Sequence, residues 1–253
     1  MADLSGRNAM ITGGGRGIGR GIALALAAAG ANVVLSFRRD EEAANATASE
    51  ARALGVEAST VQGDVTSYED CQRMAEQAVT ARGDVGILVN NGGIASRGQS
   101  IVETDPAEME RVVRTHAFGS FYMTSLLLPQ MRELDRGDVI IISSTAAGSL
   151  SANGSPYNMA KAAQEAIAYT VAKEERQYNI HANIVRPGLV ETEMGFRLVR
   201  ATRGISDMRE LDEGSPFGRV CQPEDIAAAV VYFVSESGSY VTNQVMSVNG
   251  GGF

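Results

Sequence analysis

Residues 9–30 read AMITGGGRGIGRGIALALAAAG, and this stretch decides the fold. Residues 9–12 are a short apolar run that meets glycines at once, the pattern of a strand buried in a parallel sheet. Residues 18–29 have the composition of a helix, and Gly30 ends it. Between them lies the loop Thr12-Gly13-Gly14-Gly15-Arg16-Gly17-Ile18-Gly19. Glycines let a backbone approach a pyrophosphate, and a helix N-terminus stabilises its charge. The spacing is TGxxxGxG rather than GxGxxG. Tight turns also need glycine. It is the strand before and the helix after that make this a dinucleotide site, with Gly13, Arg16, Gly17, Ile18 and Gly19 as candidate cofactor residues.

Working outward, the same alternation continues. Strands are expected at 32–37, 56–62, 85–90, 139–142, 180–186 and 244–248. Helices are expected at 41–54, 68–81, 106–133, 157–178 and 222–234, the third kinked at Pro129. Strict alternation specifies an α/β Rossmann-type fold, a doubly wound parallel sheet with helices on both faces. No linker, repeat or low-complexity segment divides residues 1–253, so a single domain is expected. Residues 191–219 resist assignment and mix apolar side chains with arginines. A long irregular insertion near a strand's carboxyl end reads as a substrate lid.

Composition narrows the function. The net charge is −8, which argues against nonspecific nucleic-acid binding. No apolar run approaches the ~18 residues of a membrane span. The cysteines, Cys71 and Cys221, have no metal-ligand spacing and read as free thiols of a reducing compartment. The opening MADLSGRNAMITGG enters a strand with no signal peptide before it, so a soluble cytoplasmic protein is expected.

A second stretch carries the chemistry. Residues 137–161 read GDVIIISSTAAGSLSANGSPYNMAK. Ser144 lies just past an apolar strand, where ligands bind in open parallel sheets. Tyr157 and Lys161 are four residues apart in a helical segment, so phenol and ammonium project from one face. Each residue alone has an ordinary structural reading as loop cap, core aromatic or surface charge. In register behind a nucleotide loop, they converge on one substrate.

The choice of dinucleotide rests on the end of the second strand, Ser36-Phe37-Arg38-Arg39, which has no carboxylate at its tip. An acidic residue there would bind a ribose 2′-hydroxyl. Arg38 and Arg39, with Arg16, suit a 2′-phosphate instead. NADP(H) is therefore expected over NAD(H); the alternative is that these arginines are solvated surface charges. Asp64-Val65 is placed to face the adenine, and Asn90-Asn91-Gly92-Gly93 to line the other side. Asp64 as a helix cap and Asn91 as a turn residue are the competing readings.

Taken together, TGGGRGIG at 12–19, GDV at 63–65, NNGG at 90–93, Ser144, YNMAK at 157–161, PG at 187–188 and VNGG at 248–251 resemble the short-chain dehydrogenase/reductase family over essentially the whole chain. The 13 residues from Ser144 to Tyr157 fit as well. The resemblance is to the compact branch of about 250 residues, and is similar to 3-oxoacyl-carrier-protein, ketone and sugar reductases. It implies the sheet order 3-2-1-4-5-6-7. It implies that Tyr157 is the general acid or base, that Ser144 hydrogen-bonds the substrate oxygen, and that Lys161 binds the nicotinamide ribose and holds the phenol pKa down. Asn91, Pro187, Val190 and Thr192 fall where the ribose and nicotinamide are lined. Relatives commonly form homotetramers or homodimers through two long helices and the C-terminal strand, to which residues 118–128 and 245–253 correspond here. One departure stands out: many members carry asparagine 28 residues before the serine in a proton relay, and this chain has His116. Imidazole can carry protons or simply pack.

The expected reaction is carbonyl reduction, or its reverse, on a small-molecule ketone, alcohol or acyl thioester. The alternatives are an NAD-dependent alcohol, polyol or sugar dehydrogenase, and a nucleotide-sensing scaffold without activity. A free phenol has a pKa of about 10. An ammonium ~4 Å away at an effective dielectric of 20 favours phenolate by at most roughly 4 kcal/mol, so a shift of two or three units is within reach.

Overall fold

The computed structural model describes residues 2–251. Gly252 and Phe253, the last residues of the apolar segment assigned to an interface, lie outside the described residues. Seven strands form one parallel sheet: β1 (Asn8–Ile11), β2 (Asn32–Phe37), β3 (Ala58–Gln62), β4 (Ile87–Asn90), β5 (Gly137–Ile142), β6 (Ile180–Pro187) and β7 (Val245–Val248). Their order is β3-β2-β1-β4-β5-β6-β7, as the resemblance implied. The strand order runs outward in opposite directions from β1 and β4, and this switch point opens a crevice at the carboxyl ends of those two strands.

Two apolar layers sandwich the sheet. One packs α1 (Gly17–Ala28) and α9 (Pro223–Val234) against one face, through Ile22, Leu26, Ile226, Val230 and Phe233. The other uses α3 (Tyr68–Arg82), α5 (Gly119–Met131) and α7 (Ser155–Glu174), through Met74, Met123, Leu127, Ala168 and Val171. Because both faces are covered, the middle strands are apolar without alternation; β5 is buried at all six positions.

The long helix differs from the expected one. It runs as α4 (Pro106–Val113), a π-helical turn at Arg114–Phe118, and then α5. Pro129 sits within α5, and the irregularity is the π turn, which carries His116. π turns inside α-helices are frequent at functional sites. Strand β3 is also two residues shorter than expected at its start.

The unassigned insertion is a small structured unit. Helix α8 (Glu193–Arg203) and short 3-10 turns enclose a core of Val199, Met208 and Val220, flanked by Leu189, Phe196, Ile205 and Leu211. Its base is stitched by Glu191, which binds Arg209 and accepts from Gln222 Nε2 at 2.6 Å. Cys221 and Val190 add a β-bridge at the same place. No described helix is long and apolar enough to cross a membrane.

Candidate active site

The glycine loop joins the ends of β1 and β4. Thr12 Oγ1 accepts from the backbone N–H of Asn91 at 3.0 Å and of Gly92 at 2.9 Å. Asn91 Nδ2 returns to the carbonyls of Thr12 and Gly13, at 2.9 and 3.2 Å. A Cβ at residue 19 would stand 2.2 Å from the Gly13 carbonyl, so only glycine allows this close approach. Ile18 packs against the core below. Helix α1 has no side-chain N-cap and no acidic residue in its first turn, whereas Asp40, Ser67, Asp105 and Thr192 cap α2 (Glu41–Ala53), α3, α4 and α8. An N-terminus left uncapped on a 12-residue helix at the crevice fits a dinucleotide pyrophosphate.

The three arginines are already engaged to different degrees. Arg16 pairs with Glu193 of the lid at 3.0 Å and approaches Asp40 at 3.7 Å. Arg38 pairs with Asp64 at 3.3 Å. Arg39 is exposed and makes no ion pair or hydrogen bond among the described residues. Asp64 Oδ1 accepts from the backbone and hydroxyl of Thr66. Those bonds, with Arg38, hold its carboxyl below the usual range against the opposing effect of burial. Val65 packs on Gly119 at the π-turn exit. Val190 is buried in the core, and Pro187 ends β6 with its carbonyl accepting from Thr145 N at 3.0 Å. Thr192 caps α8 and touches the glycine loop at Gly17.

Beyond β5 the expected trio does come together. Tyr157 and Lys161 leave the first turns of α7 toward the end of β5, where Ser144, its Oγ accepting from Ala146 N at 3.2 Å, stands beside the phenol. Lys161 Nζ donates to the carbonyl of Ile142 at 2.7 Å and lies 5.7 Å from the Tyr157 ring centre.

The electrostatics correct one expectation. Lys161 does not hold the phenol down in this structure: the Tyr157 pKa is pushed up by burial, which outweighs the lowering effect of the nearby Ser144 hydroxyl. The ring is partly exposed by area, yet ringed closely enough that desolvation dominates. Lys161 is itself pushed down to about 7 by burial, opposed by Glu165. The physical reason is that ammonium and phenol are both desolvated, and the ammonium is spent on a backbone carbonyl rather than on the phenol oxygen.

His116 is packed. It is almost fully buried, and its Nε2 meets the Ile94 backbone, 2.8 Å from the carbonyl oxygen and 3.2 Å from the amide nitrogen. Burial drops its pKa to about 3, so the imidazole is neutral at working pH. Nδ1 is buried without a hydrogen bond of normal length; its neighbour is Gln164, whose Oε1 is likewise unpaired.

Sequence reasoning passed over Thr12, Ser143, Glu165 and Arg186. Ser143 Oγ donates to Glu165 Oε1 at 2.6 Å, and Arg186 binds the same carboxylate with two nitrogens. The available signals were an acidic residue one turn past Lys161 and a lone arginine in an apolar strand. Among the described residues no cluster of His, Cys, Asp and Glu could hold a metal ion.

A family model described as Enoyl-(Acyl carrier protein) reductase matches residues 13–252. The chain is 32% identical over 249 residues to 7alpha-hydroxysteroid dehydrogenase of Escherichia coli K12, covering 98% of this chain and 95% of that one. It is 32% identical over 250 residues to the 3-oxoacyl-(acyl-carrier-protein) reductase of Aquifex aeolicus, covering 99% and 98%. It is 31% identical over 261 residues to tetrahydroxynaphthalene reductase of Pyricularia oryzae, covering 99% and 90%. Among solved structures, a 7alpha-hydroxysteroid dehydrogenase complexed with NADH and 7-oxo glycochenodeoxycholic acid superposes with a TM-score of 0.91 at 31% identity, covering 99% of this chain and 95% of that one.

Proposed function

Because the chain belongs to the short-chain dehydrogenase/reductase family of oxidoreductases, we propose that it interconverts a carbonyl and an alcohol with NADP(H), using Tyr157 as proton donor and acceptor. The observation that carries this reading is the convergence of Ser144, Tyr157 and Lys161 at the end of β5, beside an uncapped α1 N-terminus. Gly13, Arg16, Gly17, Ile18, Gly19, Asn91, Pro187, Val190 and Thr192 would hold the dinucleotide, with Asp64 and Val65 at its adenine. When bound, the nicotinamide supplies or accepts the hydride.

The side chains act on the other end of the bond. In the reducing direction, Tyr157 Oη gives its proton to the substrate oxygen as negative charge develops there. Ser144 Oγ–H donates to the same oxygen and stabilises that charge. The raised phenol pKa keeps Tyr157 protonated at neutral pH, which suits a proton donor. Lys161, its ammonium pushed down by burial and supported by Glu165, sits beneath the phenol and within reach of a ribose. His116, neutral and bonded to a backbone carbonyl, buttresses the Tyr157 ring.

NADP(H) is favoured by Arg38 and Arg39 at the end of β2 and by Arg16 in the loop. The hydroxysteroid dehydrogenase relative was solved with NADH, so the alternative is NAD(H) with Asp64 holding Arg38 away from the ligand. The relatives act on a steroid, an acyl thioester and an aromatic polyol. The lid presents Met194 and Leu198 on the exposed side of α8, which suits a substrate with an apolar portion. Phe118 and Phe121 are about half exposed on the long helix and fit a subunit contact in a dimer or tetramer.

The test is consumption of NADPH and of NADH with a panel of steroid ketones, 3-oxoacyl thioesters and cyclic ketones. Turnover with at least one, dependent on Tyr157, supports the proposal; binding of dinucleotide without turnover of any sinks it. Light scattering gives the assembly.

A further inference from the structure

Three consecutive residues at the end of β5 each hold a different residue of α7. The Ile142 carbonyl accepts from Lys161, the Ser143 hydroxyl donates to Glu165, and Ser144 meets Tyr157. The outer two contacts belong to the proposed mechanism, and the middle one has no part in it. Glu165 is buried and lies one turn beyond Lys161, on the same helical face. From the other side, Arg186 Nε and Nη2 reach its two oxygens at 2.6 and 2.5 Å, a bidentate pair. Arg186 directly precedes Pro187 in β6. Its guanidinium also supports the loop after Ser144, since a Cβ on Gly148 would stand 3.2 Å from Nη1.

One carboxylate therefore ties β5, β6 and α7 together where the reacting groups sit. The rest of that seam is apolar, with Ala168, Val171 and Ala172 facing the sheet. An apolar tie would fasten the helix with less desolvation, so a buried ion pair here calls for a role that apolar packing cannot fill. The groups facing Lys161 define that role. Tyr157 and Glu165 face it from α7, Arg186 lies beyond Glu165 on β6, and neutral His116 faces it from the π turn. The end of β5 offers only hydroxyls and a carbonyl. Glu165 is the single negative charge in the set.

We propose that Glu165 is a positioning residue of the active centre: clamped by Arg186 and Ser143, it fixes α7 to the tips of β5 and β6 and keeps the buried ammonium of Lys161 charged. The kinetic consequence rests on the carbonyl-reduction reading above; the electrostatic one does not.

The chain contains two lysines, Lys161 and the exposed Lys173 on the same helix. Protein made with carbon-13 at lysine Cε thus gives two signals, one an internal reference. Glu165→Gln keeps the shape and removes the charge. In this variant the titration midpoint of Lys161 falls by about one pH unit, with Lys173 unmoved. Glu165→Asp withdraws the carboxylate by one methylene and gives a smaller fall, which serves if the glutamine variant does not fold. With any ketone the wild type accepts, the alkaline limb of kcat moves down by the same unit, so kcat at pH 8 drops about tenfold while KM for the ketone stays within about twofold. An unmoved Lys161 midpoint in a folded variant overturns the proposal. A wild type that turns over no ketone overturns the carbonyl-reduction reading instead, whatever the lysine signals do.

Discussion

The imidazole of His116 stands edge-on to the ring of Tyr157, with centroids 5.3 Å apart and planes at 89°. The π turn at Arg114–Phe118 presents it there, and Gly93 closes the other side of the ring. A histidine in such a place is part of the wall behind the phenol. Its pKa of about 3 against an unfolded value of about 6.5 means the unfolded chain binds the extra proton between those limits. Stability is therefore lost as pH falls from about 6.5 toward 3, at up to roughly 1.4 kcal/mol per pH unit from this group. Urea unfolding of wild type and His116→Gln between pH 4.5 and 7.5 measures it. The variant should show the shallower slope by close to one proton; equal slopes would refute neutral burial.

Gly93 explains why that wall tolerates nothing larger. A Cβ at this position would lie 2.5 Å from His116 Cε1 and 3.1 Å from Nδ1. Gly93→Ala is expected to cost about 1–3 kcal/mol by overpacking, a Tm loss of roughly 2–4 °C for each kcal/mol in a chain of this size. The displaced imidazole presses on Tyr157, so kcat should fall further than dinucleotide affinity. Calorimetry and fluorescence titration of NADPH separate the two.

Removing the phenol hydroxyl tests the chemistry most directly. Tyr157→Phe keeps the ring against His116 and loses the proton carried to the substrate oxygen. A fall in kcat of about 10²–10⁴-fold is expected, with NADPH affinity within a few-fold of wild type. Near-normal turnover would remove Tyr157 from its role.

Cofactor choice hangs on guanidinium groups that differ in how free they are. Arg38 is paired with Asp64, and Arg39 is exposed. Replacing both with alanine should raise KM for NADP by about ten- to a hundred-fold, the worth of one or two charge-assisted hydrogen bonds, and leave KM for NAD within about threefold. Equal effects on both cofactors would show that the arginines support the fold.

The opposite end of β5 provides a control on stability. Asp138 is fully buried between Arg7 at 2.7 Å and Arg136 at 3.0 Å, and both arginines also bind carbonyls at the end of α9 and just beyond it. Asp138→Asn leaves two guanidinium groups without their counter-charge and should cost about 3–5 kcal/mol in denaturant unfolding. Asp138 lies about 20 Å along the strand from Ser144, so kcat at low temperature should stay within about twofold.

Much of this was legible in local pattern. The run AMIT before TGGGRGIG required a strand, a glycine loop and a helix, because short apolar runs and glycine spacing act over a few residues. Ser144, Tyr157 and Lys161 were legible for the same reason: a strand end and one helical turn set their register. The lid appeared as an unassigned stretch because its small core, Val199 with Met208 and Val220, joins residues whose spacing follows neither period.

What only the tertiary structure decided is the electrical state of the site. The sequence puts a lysine one turn from a tyrosine and invites the inference that the cation lowers the phenol. Folding buries both, hands the ammonium to the Ile142 carbonyl, and drives the two pKa values apart, the phenol's up and the ammonium's down. It also brings Arg186 from β6 onto Glu165 of α7, 21 residues apart in the chain. Burial and long-range pairing are properties of the packed sheet and helices. No window of sequence contains them, whereas strand, loop and helix register are written in neighbouring residues.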